Sequence, residues 1–218
     1  MANERFEGLY GRLYDAVMQT PALRRAAFSL WGSAEPLLHL DEIVRAAADE
    51  AAGATILDVP CGGGTVLPLL ARAGFHGTVI ESDLADAMMR RARVAHRRLQ
   101  PGYDVRFLQA DARELPLDSA SAHGVISING LHVIPGPERF LAELARVIRP
   151  GGTLRLITPV SSTALRSRLI LSAAQTLGIT PAAPPTLDEL RTMVGNAGFQ
   201  IRRSLGGTSI TGLECDRP

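Results

Sequence analysis

From Gly53 to Thr158 the chain alternates short apolar runs with stretches of helical periodicity, and no other feature restricts the fold as much. The runs are TILDV (55–59), GTVIES (77–82), DVRFLQ (104–109), HGVISI (123–128) and TLRLIT (153–158). Helical patterns are predicted between them at 65–73, 84–99 and 137–148, the last closed by Pro150, Gly151 and Gly152. A strand that returns through a helix runs parallel to its predecessor, so these units build a parallel sheet covered on both faces. A later helix is predicted from Thr186 to a stop around Gly195 to Gly198, and QIRRSL and TSITGLEC then read as a terminal hairpin.

A length of 218 residues, at roughly 100–200 residues per domain, allows one core with appended segments. Helical patterns over 3–19, about 22–31 and 36–52 predict an N-terminal helical cap, residues 1–52. The core is expected over 53–218, with a lid insertion at 159–185 made of a helical stretch and the Pro-rich connector ITPAAPPT.

Composition removes several chemistries. With 23 basic and 22 acidic residues, a formal +1, there is no broad basic surface to neutralise a phosphate backbone, and nucleic acid is not an expected partner. Every basic residue is Arg. A chain without Lys has neither a Schiff-base amine nor the Lys of a G-x-x-x-x-G-K-[ST] phosphate loop. Cys61 and Cys215 make neither a disulfide framework nor a four-ligand zinc site. Glu4, Glu7 and Asp15 stand where a signal peptide would be apolar, and no run approaches the roughly 18 apolar residues of a membrane span. A cytoplasmic protein without a membrane span is expected.

The segment ILDVPCGGGTVLPLL runs from a buried strand through Cys61, Gly62, Gly63 and Gly64 into a helix, with Thr65 as expected N-cap and Pro68 in the first turn. Such a glycine turn at the carboxyl end of a strand is where open α/β sheets take their ligands. The dinucleotide fingerprint G-x-G-x-x-G laid on Gly62 and Gly64 requires glycine where Leu67 stands, so a nicotinamide or flavin site is disfavoured. Asp83, at the end of the second strand, is placed to accept both ribose hydroxyls of a nucleoside, with Glu81 as competitor.

Together these residues resemble the class I S-adenosylmethionine-dependent methyltransferases, specifically the small-molecule group related to the ubiquinone/menaquinone-biosynthesis enzymes. Four ordered blocks carry the resemblance: LDVPCGGG, VIESDLADAMM, QADARELPL and NGLHVIPGPERFLAELARVIRPGGTLRL. It implies an α/β, Rossmann-like, doubly wound fold whose mostly parallel seven-stranded sheet has an antiparallel terminal strand, with the helical cap and a lid helix added. It implies S-adenosylmethionine as cofactor and S-adenosylhomocysteine as product. Asp58 would anchor the methionine ammonium, and the backbone from Pro60 through Cys61 and Gly62 to Gly64 would line the methionine portion. Asp83 would hold the ribose, Leu84 and Met88 pack near the adenine, Asp111 accept from its amino group and the Ala112 N–H donate to the ring. Asn129 would lie near the transferring methyl, and Tyr10 and Tyr14 over the cofactor. Met88 reads equally as helix core, Asp111 as a turn-former, and the two tyrosines as packing residues. The chain departs from the family at Pro60, which replaces the first loop glycine and removes a donor, and at Ala122-His123, where Phe-Asp is usual.

A sulfonium donor is already activated, so the protein chiefly aligns the acceptor and excludes water. His132, after the fourth strand, is the candidate catalytic base, because imidazole titrates near neutral pH; the competing role is a wall of the pocket. The arginines of RRARVAHRR read as a solvated helix face. No [DNS]-P-P-[YF] motif follows the fourth strand, and Ser127 and Asn129 are poor magnesium ligands. The expected activity is metal-independent O-, N- or C-methylation of a small organic acceptor; the alternative is a non-catalytic subunit that binds S-adenosylmethionine.

Overall fold

The computed structural model describes residues 40–161, 183–206 and 209–218, with residues 17, 18, 20, 22, 23, 26, 168, 169, 172 and 176 in addition. Helix α1 (Leu40–Glu50) leads into β1 (Thr55–Asp58), α2 (Leu67–Arg72), β2 (Thr78–Asp83), α3 (Asp86–Leu99), β3 (Asp104–Gln109) and β4 (Ala122–Ile128). After these come α4 (Pro137–Val147), β5 (Ile148–Pro159), α5 (Leu187–Asn196), β6 (Gln200–Gly206) and β7 (Ile210–Asp216). The strands form one seven-stranded sheet in the order β3-β2-β1-β4-β5-β7-β6. Strand β7 is antiparallel to both neighbours and the rest are parallel, which is the Rossmann-like doubly wound arrangement expected.

Alternate residues of each strand face opposite sides. Ile56, Val79, Ile126 and Ile157 share a cluster with Leu40, Ile43, Val44 and Ala47 of α1. Leu57, Ile80, Val125 and Leu156 pack on the other side against Phe140, Leu141 and Leu144 of α4 and Leu190 and Val194 of α5. Each such side chain, fully buried, contributes about 1.5–3 kcal/mol before entropy is counted.

Two local expectations change. Helix α2 starts at Leu67 with Val66 as N-cap, so Thr65 does not cap it; Pro68 stays in the first turn, where no N–H is needed. The fifth strand begins at Ile148, well before 153, because Ile148 pairs with Ala122 and the Pro-Gly-Gly segment bonds to Arg217. Gly152 permits this: a Cβ there would stand 2.7 Å from the His123 carbonyl and 2.6 Å from an Ile148 methyl. The start of α5 is as expected, Thr186 and Glu189 forming a reciprocal capping box. Most of residues 1–39 and 162–182, and so most of the expected cap and lid, lie outside the described residues. No helix among the described residues is long and apolar enough to cross a membrane.

Candidate active site

Strand order reverses between β1 and β4, and the carboxyl ends of the strands there form the crevice that open α/β sheets use. A small recess open to solvent lies at that point, lined by Asp58, Pro60, Cys61, Gly62, Thr65 and Val66 with Met18 and Ile128. Asp58 ends β1 and is 1% exposed, with Oδ2 lacking a hydrogen-bond partner among the described residues. Burial, then the neighbouring Glu81 and Asp83, hold its carboxyl well above the usual range.

The glycine loop is held down by backbone and carboxylate together. The Cys61 N–H donates to the Ser82 carbonyl at 2.8 Å and the Gly62 N–H to Asp83 Oδ2 at 3.0 Å. Asp83 Oδ1 accepts from the Ala85 N–H at 2.9 Å. Gly62 has φ +55° and a Cβ there would meet nothing within 4 Å, so its backbone is open to the recess. Gly64, at φ +81°, is required for packing instead: a Cβ would sit 3.1 Å from Leu67 and 3.3 Å from the Ala92 backbone of α3. Pro60 lies against Gly130 of the loop after β4, whose absent side chain leaves room for the ring. The Cys61 thiol is buried beside Met89, and burial pushes it well above its ordinary value.

Of the two competing acids on β2, Glu81 is fully enclosed whereas Asp83 is 9% exposed and reaches the loop. Burial raises Asp83, with the backbone bonds from Ala85, Gly62 and Leu84 opposing it. Leu84 is 46% exposed, while Met88 is buried in α3 with the Arg91 guanidinium at its sulfur. In the turn after β3, Asp111 is gripped by Arg113 at 2.6 Å, which holds its carboxyl down to about 2; Ala112 is buried beneath it. That turn is fastened to α4, since Glu143 accepts from the Leu115 N–H and Arg146 donates to the carbonyls of Leu115 and Leu117.

Asn129, at φ +56°, closes β4, its N–H on the Ile157 carbonyl and its side-chain amide 4.0 Å from the Met18 sulfur. His132 is nearby in sequence, but burial lowers its imidazole to about 4 and Nδ1 has no partner among the described residues. The near-neutral titration expected of it is therefore corrected: desolvation disfavours the imidazolium. His123 accepts from the Thr55 N–H at 3.2 Å and is a strand-edge residue, as expected. Tyr10 and Tyr14 lie outside the described residues.

A methyltransferase-domain family matches residues 57–156. Over this methyltransferase domain, just under half of its length, the chain is similar to the class I S-adenosylmethionine-dependent methyltransferases. Over 118 residues it is 37% identical to the demethylmenaquinone methyltransferase of Clavibacter sepedonicus, a match covering 52% of this chain and 46% of that protein. Over 100 residues it is 37% identical to the phthiotriol/phenolphthiotriol dimycocerosates methyltransferase of Mycobacterium tuberculosis, covering 46% of this chain and 36% of that one. The chain spans less than half the length of either relative. In fold, a SAM dependent methyltransferase from Aquifex aeolicus matches with a TM-score of 0.62 at 23% identity, covering 80% of this chain and 88% of that one.

Sequence reasoning missed several residues that shape this candidate site. Met18 and Ile128 carry no motif, and they line the recess only because the chain folds back on itself. Arg113, Glu143 and Arg146 read as ordinary surface charges. Arg113 grips Asp111 within the turn after β3 itself, whereas the link of Glu143 and Arg146 to that turn depends on α4 packing beside it.

Proposed function

We propose that the chain transfers the methyl group of S-adenosylmethionine to a small organic acceptor, without a metal, and releases S-adenosylhomocysteine. The observation that carries this reading is Asp58, a buried carboxyl beside the accessible backbone of Gly62 whose Oδ2 has no partner among the described residues. A buried carboxyl of this kind is best satisfied by a cation, and the methionine ammonium of the donor is one. Both sequence relatives are named for methylation of a metabolite, which supports a small acceptor.

When bound, the donor supplies a methyl on a sulfonium sulfur: the acceptor's lone pair forms the new bond to carbon as the C–S pair leaves with sulfur. The residues of the chain bind and align. Asp58 takes the ammonium, the backbone from Pro60 to Gly64 flanks the methionine portion, and Asn129 borders the methyl. The Asp83 oxygens each keep a lone pair for the ribose hydroxyls, Leu84 and Met88 flank the adenine, and Asp111 with the Ala112 N–H reads its edge. In this reading the cap, residues 1–52 with Tyr10 and Tyr14, and the lid, 159–185, exclude water from the reaction.

Calorimetry with S-adenosylmethionine, S-adenosylhomocysteine and NADH tests the binding; preference for NADH would refute it. Transfer of labelled methyl into metabolite pools tests the activity, and donor binding with no product in any pool would favour a non-catalytic subunit. Asp83→Ala is expected to weaken donor binding by about 1–3 kcal/mol with the fold kept, because it leaves ligand hydroxyls and two backbone donors unmatched. If Glu81→Ala abolishes binding and Asp83→Ala does not, the ribose assignment is wrong.

His132 is a wall of the acceptor pocket in this reading. With its imidazole lowered to about 4, it is neutral from pH 6 to 8 and contributes no limb to the rate there. His132→Ala is expected to raise acceptor KM with less than about a tenfold loss in kcat, as for uniform binding. A kcat loss of roughly 10²–10⁴-fold with donor affinity intact would instead make it the base.

A further inference from the structure

Parallel pairing sets Asp58 of β1 directly beside Glu81 of β2, and Asp83 follows on the same face of β2. Glu81 is fully buried, and neither of its oxygens has a well-placed hydrogen-bond donor among the described residues; the Cys61 thiol is the polar group beside it. Phe107 of β3 pairs with Glu81 and Ile126 of β4 pairs with Asp58, so neither neighbouring strand brings a charge. The ionisable groups that influence the pair are all acids: Asp83 on β2, Cys61 on the glycine loop, and Tyr103, whose hydroxyl donates to the Leu67 carbonyl.

Two adjoining carboxyls in such a place cannot both ionise at neutral pH. Loss of water penalises each charge, each charge penalises the other, and the pair retains a proton. Burial, with the Asp83 charge adding to it and the Cys61 thiol opposing, pushes Glu81 up to about 8.

We infer that Glu81, lying beneath the loop without touching the ligand, reads the sulfonium charge of the donor by giving up its proton when S-adenosylmethionine binds. This rests on the recess being the S-adenosylmethionine site. The donor carries an ammonium, a sulfonium and a carboxylate, a net +1; the product keeps the ammonium and carboxylate and is neutral. A cation arriving at the loop favours ionised Glu81, and the proton passes to solvent. After transfer the sulfur is neutral, two buried negative charges face each other with one cation fewer, and the pair takes a proton back. Product is thereby held less tightly than donor, and Glu81 is a positioning residue for charge discrimination.

The sign follows from linkage. Well below the donor-bound titration point both free and bound protein keep the proton, and affinity does not vary with pH. Between that point and about 8 the free protein must lose a proton to bind, so donor affinity rises with pH. Donor-over-product preference is expected to grow roughly three- to tenfold from pH 6 to 8, since a sulfonium that weakens proton binding at Glu81 about tenfold is itself bound about tenfold more tightly once the proton is gone. The sulfonium also lowers the donor's own ammonium, a ligand contribution that opposes the trend and is the same in Glu81→Gln, so the variant serves as the reference.

Calorimetry of both ligands at pH 7, in phosphate and in Tris, counts the protons exchanged, because the two buffers differ in ionisation heat. Relative to Glu81→Gln, the wild-type protein is expected to release more protons with S-adenosylmethionine than with S-adenosylhomocysteine, and its donor preference is expected to rise with pH across pH 6 to 8 where that of Glu81→Gln does not. Should Glu81→Gln not fold, the wild-type proton count decides alone. Equal proton exchange with both ligands, a flat preference in the wild type, or a wild-type slope in Glu81→Gln overturns the inference while leaving the site intact. Failure of both ligands to bind at any pH overturns the reading of the site, and the inference with it.

Discussion

Arg155→Ala is expected to destabilise the protein by about 3–5 kcal/mol, the cost of removing one partner from a buried ion pair. Arg155 lies on β5 and is 1% exposed, the largest fully buried side chain among the described residues. Its guanidinium donates to Thr153 Oγ1 at 2.8 Å and forms ion pairs with Glu50, at the end of α1, at 2.7 Å and with Glu214 of β7 at 3.9 Å. Arg202 of β6 reaches the same two acids, Glu50 at 2.9 Å and Glu214 at 3.4 Å. Burial pushes Glu50 up, but Arg155 and Arg202 outweigh it and hold the carboxyl below its ordinary value. Alanine would leave Glu214 buried with fewer cations and a void where the guanidinium stem packed. In a domain of this size the melting temperature should fall on the order of 10 °C. Glu50→Gln should cost far less, because Glu50 is one-third exposed and water can take over. Thermal unfolding of the two variants checks this; a loss below about 1 kcal/mol for Arg155→Ala would mean that the network carries no stability. Amide exchange adds a second readout, since α1 should open first.

The contrast between Asp58 and Arg155 explains how far the sequence is legible. Asp58 ends an apolar run and precedes glycines, so strand end, turn and ligand crevice are coded within a few residues and the site is readable. Arg155 is one polar residue in TLRLIT, where alternation suggests a solvent-facing position; its partners Glu50 and Glu214 become neighbours only when α1 and β7 pack on β5. Glu81 was legible as an acid near the ribose position, but its complete burial follows from the central place of β2 between β1 and β3. The sheet itself was readable because period and punctuation agree along the whole core. The boundary at Ile148 was not, because the pairing of Ile148 with Ala122 and the bonds from the Gly-Gly segment to Arg217 override a strong local stop signal.

Pro60 marks a departure from the family loop, and the structure couples it to Gly130. A Cβ on residue 130 would stand 2.2 Å from Pro60 Cδ and 2.8 Å from Cγ, with Ser127 Oγ at 3.1 Å. Real Cβ contacts are rarely under 3.4 Å, so Gly130→Ala must displace the proline ring by more than 1 Å or move the loop after β4. Either shift disturbs the floor of the recess, where Pro60 lies between Asp58 and Gly62. Misplacement of this size can cost on the order of 10²-fold in rate, and overpacking about 1–3 kcal/mol in stability. Gly130→Ala is therefore expected to lower turnover by about 10²-fold. Pro60→Gly alone should have little effect, because it removes a packing atom without creating a clash. Combined, the two substitutions should recover most of the lost activity, since the ring atoms that collide are gone and only the Ser127 hydroxyl remains close. Contacting residues of this kind show interaction energies of about 0.5–3 kcal/mol in such a cycle. Donor binding and turnover measured on all four proteins decide the matter: a double variant no better than Gly130→Ala would show that the two loops are not coupled through the ring.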